Sequence, residues 1–224
     1  MTLLRDSAAV AAKDLRIEFR GRHATAAVLP FAATVLVVFG LSLGPGRTLL
    51  QQTAPALLWL AVLFASVLSF RQAYQSEVDD EALLGLTLAP IDKAAVFLGK
   101  AAAVCVGLLA LEAAALGIVA ALFGLSVGHG APVLAAAFVL GTVGLAAVGS
   151  LFGVVNESAR ARESVFPLLV LPLATPVLIG GVRATSLATA GRGAEAGSWL
   201  LLLVAFDLVF VAAGTLVFGS LVED

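Results

Sequence analysis

Two carboxylates stand where carboxylates are seldom tolerated. Glu112 and Asp207 lie inside long apolar runs, about eighteen and about ten residues from the start of each. An acid inside a bilayer is costly and by default marks a relay, a pathway or a partner. Neither has an obvious basic partner within the runs. Snorkelling, protonation or a hydrogen bond to a neighbouring Ser or Thr is the plainer account, so their role stays open. A second group of acids is Glu77, Asp79, Asp80 and Glu81, in the stretch SEVDDEALLGLTLAP, followed by Leu83, Leu84 and Leu86. The other reactive side chains are sparse. His23 and His129 lie far apart, the single cysteine is Cys105, and no Cys/His cluster has metal-ligand spacing. A Ser/His/Asp or Cys/His set is implausible with two such distant histidines, and no G-x-x-x-x-G-K-[ST] phosphate loop is present. The chain reads as a non-enzyme with no catalytic residues and no metal site.

The elements that must hold these residues are membrane helices. Of 224 residues, 61% are hydrophobic and 12% charged, with a mean hydropathy of +1.07. A soluble domain is about half apolar and about a quarter charged. A membrane helix needs about 20 apolar residues. Six runs qualify: 24–43, 53–73, 94–123, 132–155, 165–182 and 198–221. The expected fold is all-α, a single polytopic membrane domain with six transmembrane helices. Membrane lipid is its surroundings, and a nucleic-acid partner is not expected. Gly149 and Gly153 form a G-x-x-x-G that permits close helix packing. Pro167, Pro172 and Pro176 are expected to break up and kink the fifth span.

The basic residues set an orientation. Arg5, Lys13, Arg16, Arg20, Arg22, Arg71, Lys93, Lys100, Arg160 and Arg162 fall at one side of the six spans; Arg47, Arg183 and Arg192 fall at the other. The positive-inside rule places the larger group, and both termini, in the cytoplasm. A cleaved signal peptide is the rival reading of the first residues. About twenty residues of mixed charge before a span-length run do not fit its short apolar core.

Two cytoplasmic pieces carry further patterns. Within residues 1–23, Leu4, Ala8, Ala11, Leu15 and Phe19 form one helical stripe with charges on the other faces. That predicts an amphipathic helix lying at the membrane interface. In the acidic stretch, Ser76 with Asp79 three residues later resembles a capping box. Pro90 ends the run, and Asp92 is placed to cap the third span. The expectation is a short helix, acidic at one end and leucine-bearing at the other. A plain acidic loop is the alternative. Leucines at a membrane face suggest docking to a partner.

The sequence also resembles a known family. LSLGP (Leu41–Pro45), APALLWLAVLFASVLS (Ala54–Ser69) and LPLATPVLIGG (Leu171–Gly181) are similar to stretches of the CcmB family, the membrane permease subunit of the haem-handling ABC transporter of cytochrome c maturation. The acidic segment leading to LAPIDKAAVFLGK sits at that family's connection between spans two and three. The resemblance implies a bacterial inner-membrane protein. It implies a separate ATPase subunit, CcmA, with CcmC and CcmD beside it and the haem chaperone CcmE an indirect partner. It further implies two permease copies per complex and a coupling helix at Ser76–Pro90, with Glu77, Asp79, Asp80, Glu81, Leu83, Leu84 and Leu86 meeting the ATPase. Haem would be a handled or transported ligand, with no cofactor firmly bound. His23 and His129 are weak haem-ligand candidates, since a lone loop histidine is more often solvated. No family motif covers Glu112 or Asp207. The alternative is an ABC exporter permease for a lipid, polysaccharide or drug; a passive scaffold that needs no ATPase is disfavoured by the capped helix.

Overall fold

The computed structural model describes residues 3–21, 23–44, 46–79, 92–125, 128–157 and 165–223, with the side chains of 18–21, 23–28, 71–79, 153–157, 165–169 and 219–223 excepted. Among the described residues there are seven α-helices and no strand: α1 (Leu3–Gly21), α2 (His23–Ser42), α3 (Arg47–Asp79), α4 (Lys93–Phe123), α5 (Ala131–Glu157), α6 (Val165–Thr189) and α7 (Gly197–Glu223). Helices α3 to α7 each contain a stretch long and apolar enough to cross a membrane. Helix α2 has 20 residues, a span length for a core of about 30 Å. Its apolar stretch among described side chains is Leu29–Ser42. The protein is an all-α polytopic membrane protein.

Contacts at the helix ends show that the chain runs back and forth. At one end Gln51 Nε2 donates to the Gly124 carbonyl at 3.0 Å. There also Gly130 abuts the Ala188 backbone and Gly193 abuts Val133. Gly124 closes α4 in the left-handed conformation, φ 63°, the usual glycine stop that leaves carbonyls in need of donors. At the opposite end Phe97 of α4 packs on Phe218 of α7, ring centroids 5.6 Å apart. There too α1 lies against α4.

In lipid the hydrophobic effect does not drive helices together; close packing does. Here aromatic side chains of one helix seat in glycine notches of another. Trp59 of α3 lies over Gly141 of α5 and Gly181 of α6, Phe70 of α3 over Gly149 of α5, and Phe97 over Gly214 of α7. Trp59 is fully buried. Its Nε1 donates to Thr185 Oγ1 at 2.9 Å, and its ring meets Phe138 edge-on at 5.8 Å. Gly149 therefore does pack closely, against an aromatic ring. The Gly153 half of the G-x-x-x-G pattern has no described side-chain surroundings.

Three expectations about the helices need correction. The fifth span is not broken up: α6 is continuous through Pro172 and Pro176. Pro167 is its third residue, where a backbone N–H has no intrahelical partner anyway. Neighbouring helices make interior prolines tolerable in a membrane. Helix α6 also runs seven residues past 182, to Thr189. It passes through Arg183, whose guanidinium lies 6.0 Å from the Trp199 ring centroid. Finally, Ser76 does not open a new helix. Residues 76–79 are the last turn of α3, which spans 33 residues. Extending an existing helix costs less than nucleating a new one.

Candidate functional site

The acidic connection leads into a firmly held start of α4. Asp92 caps the helix as expected: its backbone is extended, φ −62° and ψ 128°. Its Oδ1 accepts from the Ala94 N–H at 2.9 Å, satisfying one orphan amide of the first turn. Ala95, Val96 and Phe97 follow, all buried. Gly99 and Lys100 come next and face α1. A Cβ on Gly99 would stand 2.6 Å from Val10 Cβ and 2.7 Å from the Ser7 carbonyl oxygen. No larger residue fits without displacing α1. Lys100 is only 4% exposed, and its Nζ lies 3.8 Å from Asp14 of α1. A lysine is almost never so buried unless paired.

The stripe read on α1 is not the face that docks. Leu4 is 79% exposed and Ala8 is exposed. The docked face carries Ser7, Val10 and Asp14, spaced three and four residues apart as one side of a helix requires. Helix α1 thus has two working faces, one against α4 and an apolar one turned outward.

Farther along, α4 presents Glu112 to α5. Glu112 is 1% exposed. Its Oε1 lies 2.7 Å from Thr142 Oγ1. The same hydroxyl lies 2.7 Å from the Phe138 carbonyl oxygen. A hydroxyl has one proton to give. Both short contacts are hydrogen bonds together only if the Glu112 carboxyl supplies the second proton. The order is then Glu112 to Thr142 to Phe138. Glu112 Oε2 is buried and unpartnered. Asp207 of α7 is 8% exposed, and its Oδ1 is likewise buried and unpartnered. A Cβ on Gly144 of α5 would come within 2.7 Å of that oxygen, so the glycine makes the room Asp207 occupies. Thr142 and Gly144 are about 200° apart around the helix. The two acids therefore meet different faces of α5. Among the described residues, no three His, Cys, Asp or Glu side chains converge as metal ligands would.

The proposed ATPase-contacting residues are only partly within view. Glu77 and Asp79 belong to the last turn of α3. Asp80, Glu81, Leu83, Leu84 and Leu86 lie outside the described residues. His129 is exposed in a single turn of 3-10 helix, Gly128–Gly130. His23 opens α2. At the opposite end from α1, Arg192 donates to Glu195 from Nε at 2.7 Å and Nη2 at 2.6 Å. These hydrogen bonds raise the Arg192 guanidinium above its ordinary pKa.

Three residues escaped the sequence reading. Gly99 and Asp14 gave no signal singly. A lysine one turn or so inside a span, with an acid on the polar side of the preceding helix, is the pattern that would have paired Lys100 with Asp14. Thr142 is a hydroxyl within a strongly apolar run, and that rarity marks it.

The model of the family described as CcmB protein matches residues 5–223. The chain belongs to the CcmB family. Among individual CcmB relatives, heme exporter protein B of Pseudomonas aeruginosa is 32% identical over 211 residues, 91% of this chain and 93% of that protein. Heme exporter protein B of Paracoccus denitrificans is 31% identical over 203 residues, 89% of this chain and 90% of that protein. The protein of the same name from Escherichia coli K12 is 36% identical over 87 residues, 39% of this chain. The CcmB match runs through all seven helices, so the α1–α4 contact and both buried acids lie within it.

Proposed function

We propose that this chain is the membrane permease subunit of an ABC transporter in cytochrome c biogenesis. It couples ATP hydrolysis on a separate subunit, CcmA, to haem export or to release of the haem-loaded chaperone CcmE. The observation that carries this reading is the CcmB match over residues 5–223, joined to relatives named heme exporter protein B over about nine-tenths of the chain. The 224 residues contain no phosphate loop, which is why the ATPase is assigned to a partner. CcmC and CcmD complete the assembly, with two permease copies around a two-fold axis. Haem is the handled ligand and is not held as a resident cofactor. The protein resides in the bacterial inner membrane.

The coupling element is the connection between α3 and α4. Its acids Glu77, Asp79, Asp80 and Glu81 and its leucines Leu83, Leu84 and Leu86 face the ATPase. What supports this is position. The connection leaves the end of a 33-residue helix and enters a capped, buried helix start. The ten basic residues grouped at that end favour the cytoplasm for it and for both termini. There α1 lies at the membrane interface, with its exposed Leu4 toward lipid.

The test is purification of the tagged chain from its own membranes, with identification of the subunits that come with it. An ATPase subunit and the haem-handling proteins in stoichiometric amount is the expected result. An ATPase accompanied by lipid- or polysaccharide-processing proteins would transfer the chain to a different exporter, and no ATPase at all would end the proposal.

A further inference from the structure

We propose that α1 and the first turns of α4 form one rigid unit, with Gly99, Lys100 and Asp14 as its positioning residues. The inference rests on the coupling role just assigned to the α3–α4 connection. It goes further by naming what moves when that connection is pushed.

Three observations carry it. The backbones of α1 and α4 approach so closely at Gly99 that a single added carbon would meet both Val10 Cβ and the Ser7 carbonyl. Contact this close leaves no room for α1 to slide without separating. Val10 is 4% exposed, so the notch is sealed. One turn away from Val10, Asp14 reaches the buried Lys100 ammonium. Asp14 is also 3.1 Å from Lys13, so it joins an exposed and a buried ammonium, and pulling the helices apart would break its contact with the buried one. Helix α4 is in turn fixed at this level to α7 by Phe97, seated in the Gly214 notch and packed on Phe218. Leu4 and Ile17 of α1 are exposed, about 140° apart around the helix. A displacement of the α4 start thus carries α1 with it.

The experiment uses the whole complex in vesicles and reads two quantities, ATP turnover and CcmE release per ATP. In a Cys105→Ala background, Val10→Cys and Gly99→Cys place thiols at the closest approach. The added Cβ at position 99 itself pushes α1 back by about 1 Å, to the roughly 3.8 Å between Cβ atoms that a disulfide needs, so oxidised and reduced forms of this same variant are compared. The expected result is complete cross-linking on oxidation, with both quantities within twofold of the reduced sample. A cross-link that fails to form, or one that stops release until reductant is added, would overturn the rigid unit. In the second arm Lys100→Asp is expected to lower release per ATP at least fivefold while ATPase co-purification and turnover persist. Adding Asp14→Lys should restore release to within twofold. An unchanged ratio in Lys100→Asp would also overturn the proposal. Loss of ATPase binding from the unsubstituted complex is the separate result that would instead defeat the coupling role itself.

Discussion

Replacing Glu112 by glutamine, and Thr142 by valine, separates two accounts of the acid in the middle of α4. The contacts of Thr142 Oγ1 to Glu112 Oε1 and to the Phe138 carbonyl, both 2.7 Å, are both full hydrogen bonds if position 112 donates. A glutamine amide donates as a protonated carboxyl does and has nearly its shape. Glu112→Gln should therefore change stability by less than about 1 kcal/mol, the scale of one hydrogen bond exchanged for another. Thr142→Val removes the hydroxyl and leaves Glu112 with two unsatisfied oxygens instead of one. A newly orphaned buried polar group costs about 1–3 kcal/mol, which is about a 5- to 150-fold fall in the folded-to-unfolded ratio. The double variant tests the coupling: if the two changes act through the same bond, their costs will not add. Denaturation midpoints in detergent measure stability, and cytochrome c yield in cells measures function. The expected pattern is a Gln variant near parent on both scales and a Val variant that loses stability. A Gln variant that assembles normally yet produces no cytochrome c would refute the reasoning, because it would show that position 112 must exchange a proton.

Three further outcomes are expected. Cysteines introduced at Ser126 or Ala194 should react with an impermeant thiol reagent from outside the cell and one at Ser158 should not; the reverse labelling would invert the topology. The double variant Leu83→Ala with Leu84→Ala should reduce the ATPase that co-purifies much more than Asp79→Asn with Asp80→Asn. Buried leucine truncations cost about 2–5 kcal/mol and exposed charges about 0–1 kcal/mol, so equal retention in both would leave the segment a solvated loop. Trp59→Phe, which loses the 2.9 Å bond to Thr185 and part of the ring over Gly141 and Gly181, should cost about 1–3 kcal/mol against about 3–5 kcal/mol for Trp59→Ala, read as unfolding midpoints.

What the sequence reveals and what it hides divide along a physical line. Span positions follow from composition summed over twenty residues, so α4, α5 and α7 begin and end within two residues of their expected bounds. The Asp92 cap is equally local and was legible. Helix ends at the membrane surface were not, because α3 and α6 extend past their apolar cores on residues such as Gln75 and Arg183 that a hydropathy sum rejects. The partners across helices were hidden for a different reason. Which glycine receives Trp59, and which acid reaches Lys100, depends on helix rotation that no periodicity of a uniformly apolar span can fix. Helix α1 shows both cases at once: its apolar stripe was visible, and its docking face, built from a Ser, a Val and an Asp, was not.

The two ends of the bundle are tied very differently. Where α4 finishes, the turns between helices are short and strapped, with Gln51 on the Gly124 carbonyl and Gly130 against Ala188. At the other end residues 80–91 and 158–164 separate the helices. Under the coupling role proposed above, a push on the start of α4 would pivot that helix about the strapped end. Helix α4 has 31 residues, a lever arm of about 46 Å at 1.5 Å per residue. A tilt of about 5° at the pivot sweeps its far tip through an arc of about 4 Å by the same rise. If the proposed coupling holds, a shift of a few ångströms at the start of α4 would be answered by an angular change at the opposite membrane face too small to break any of the straps there.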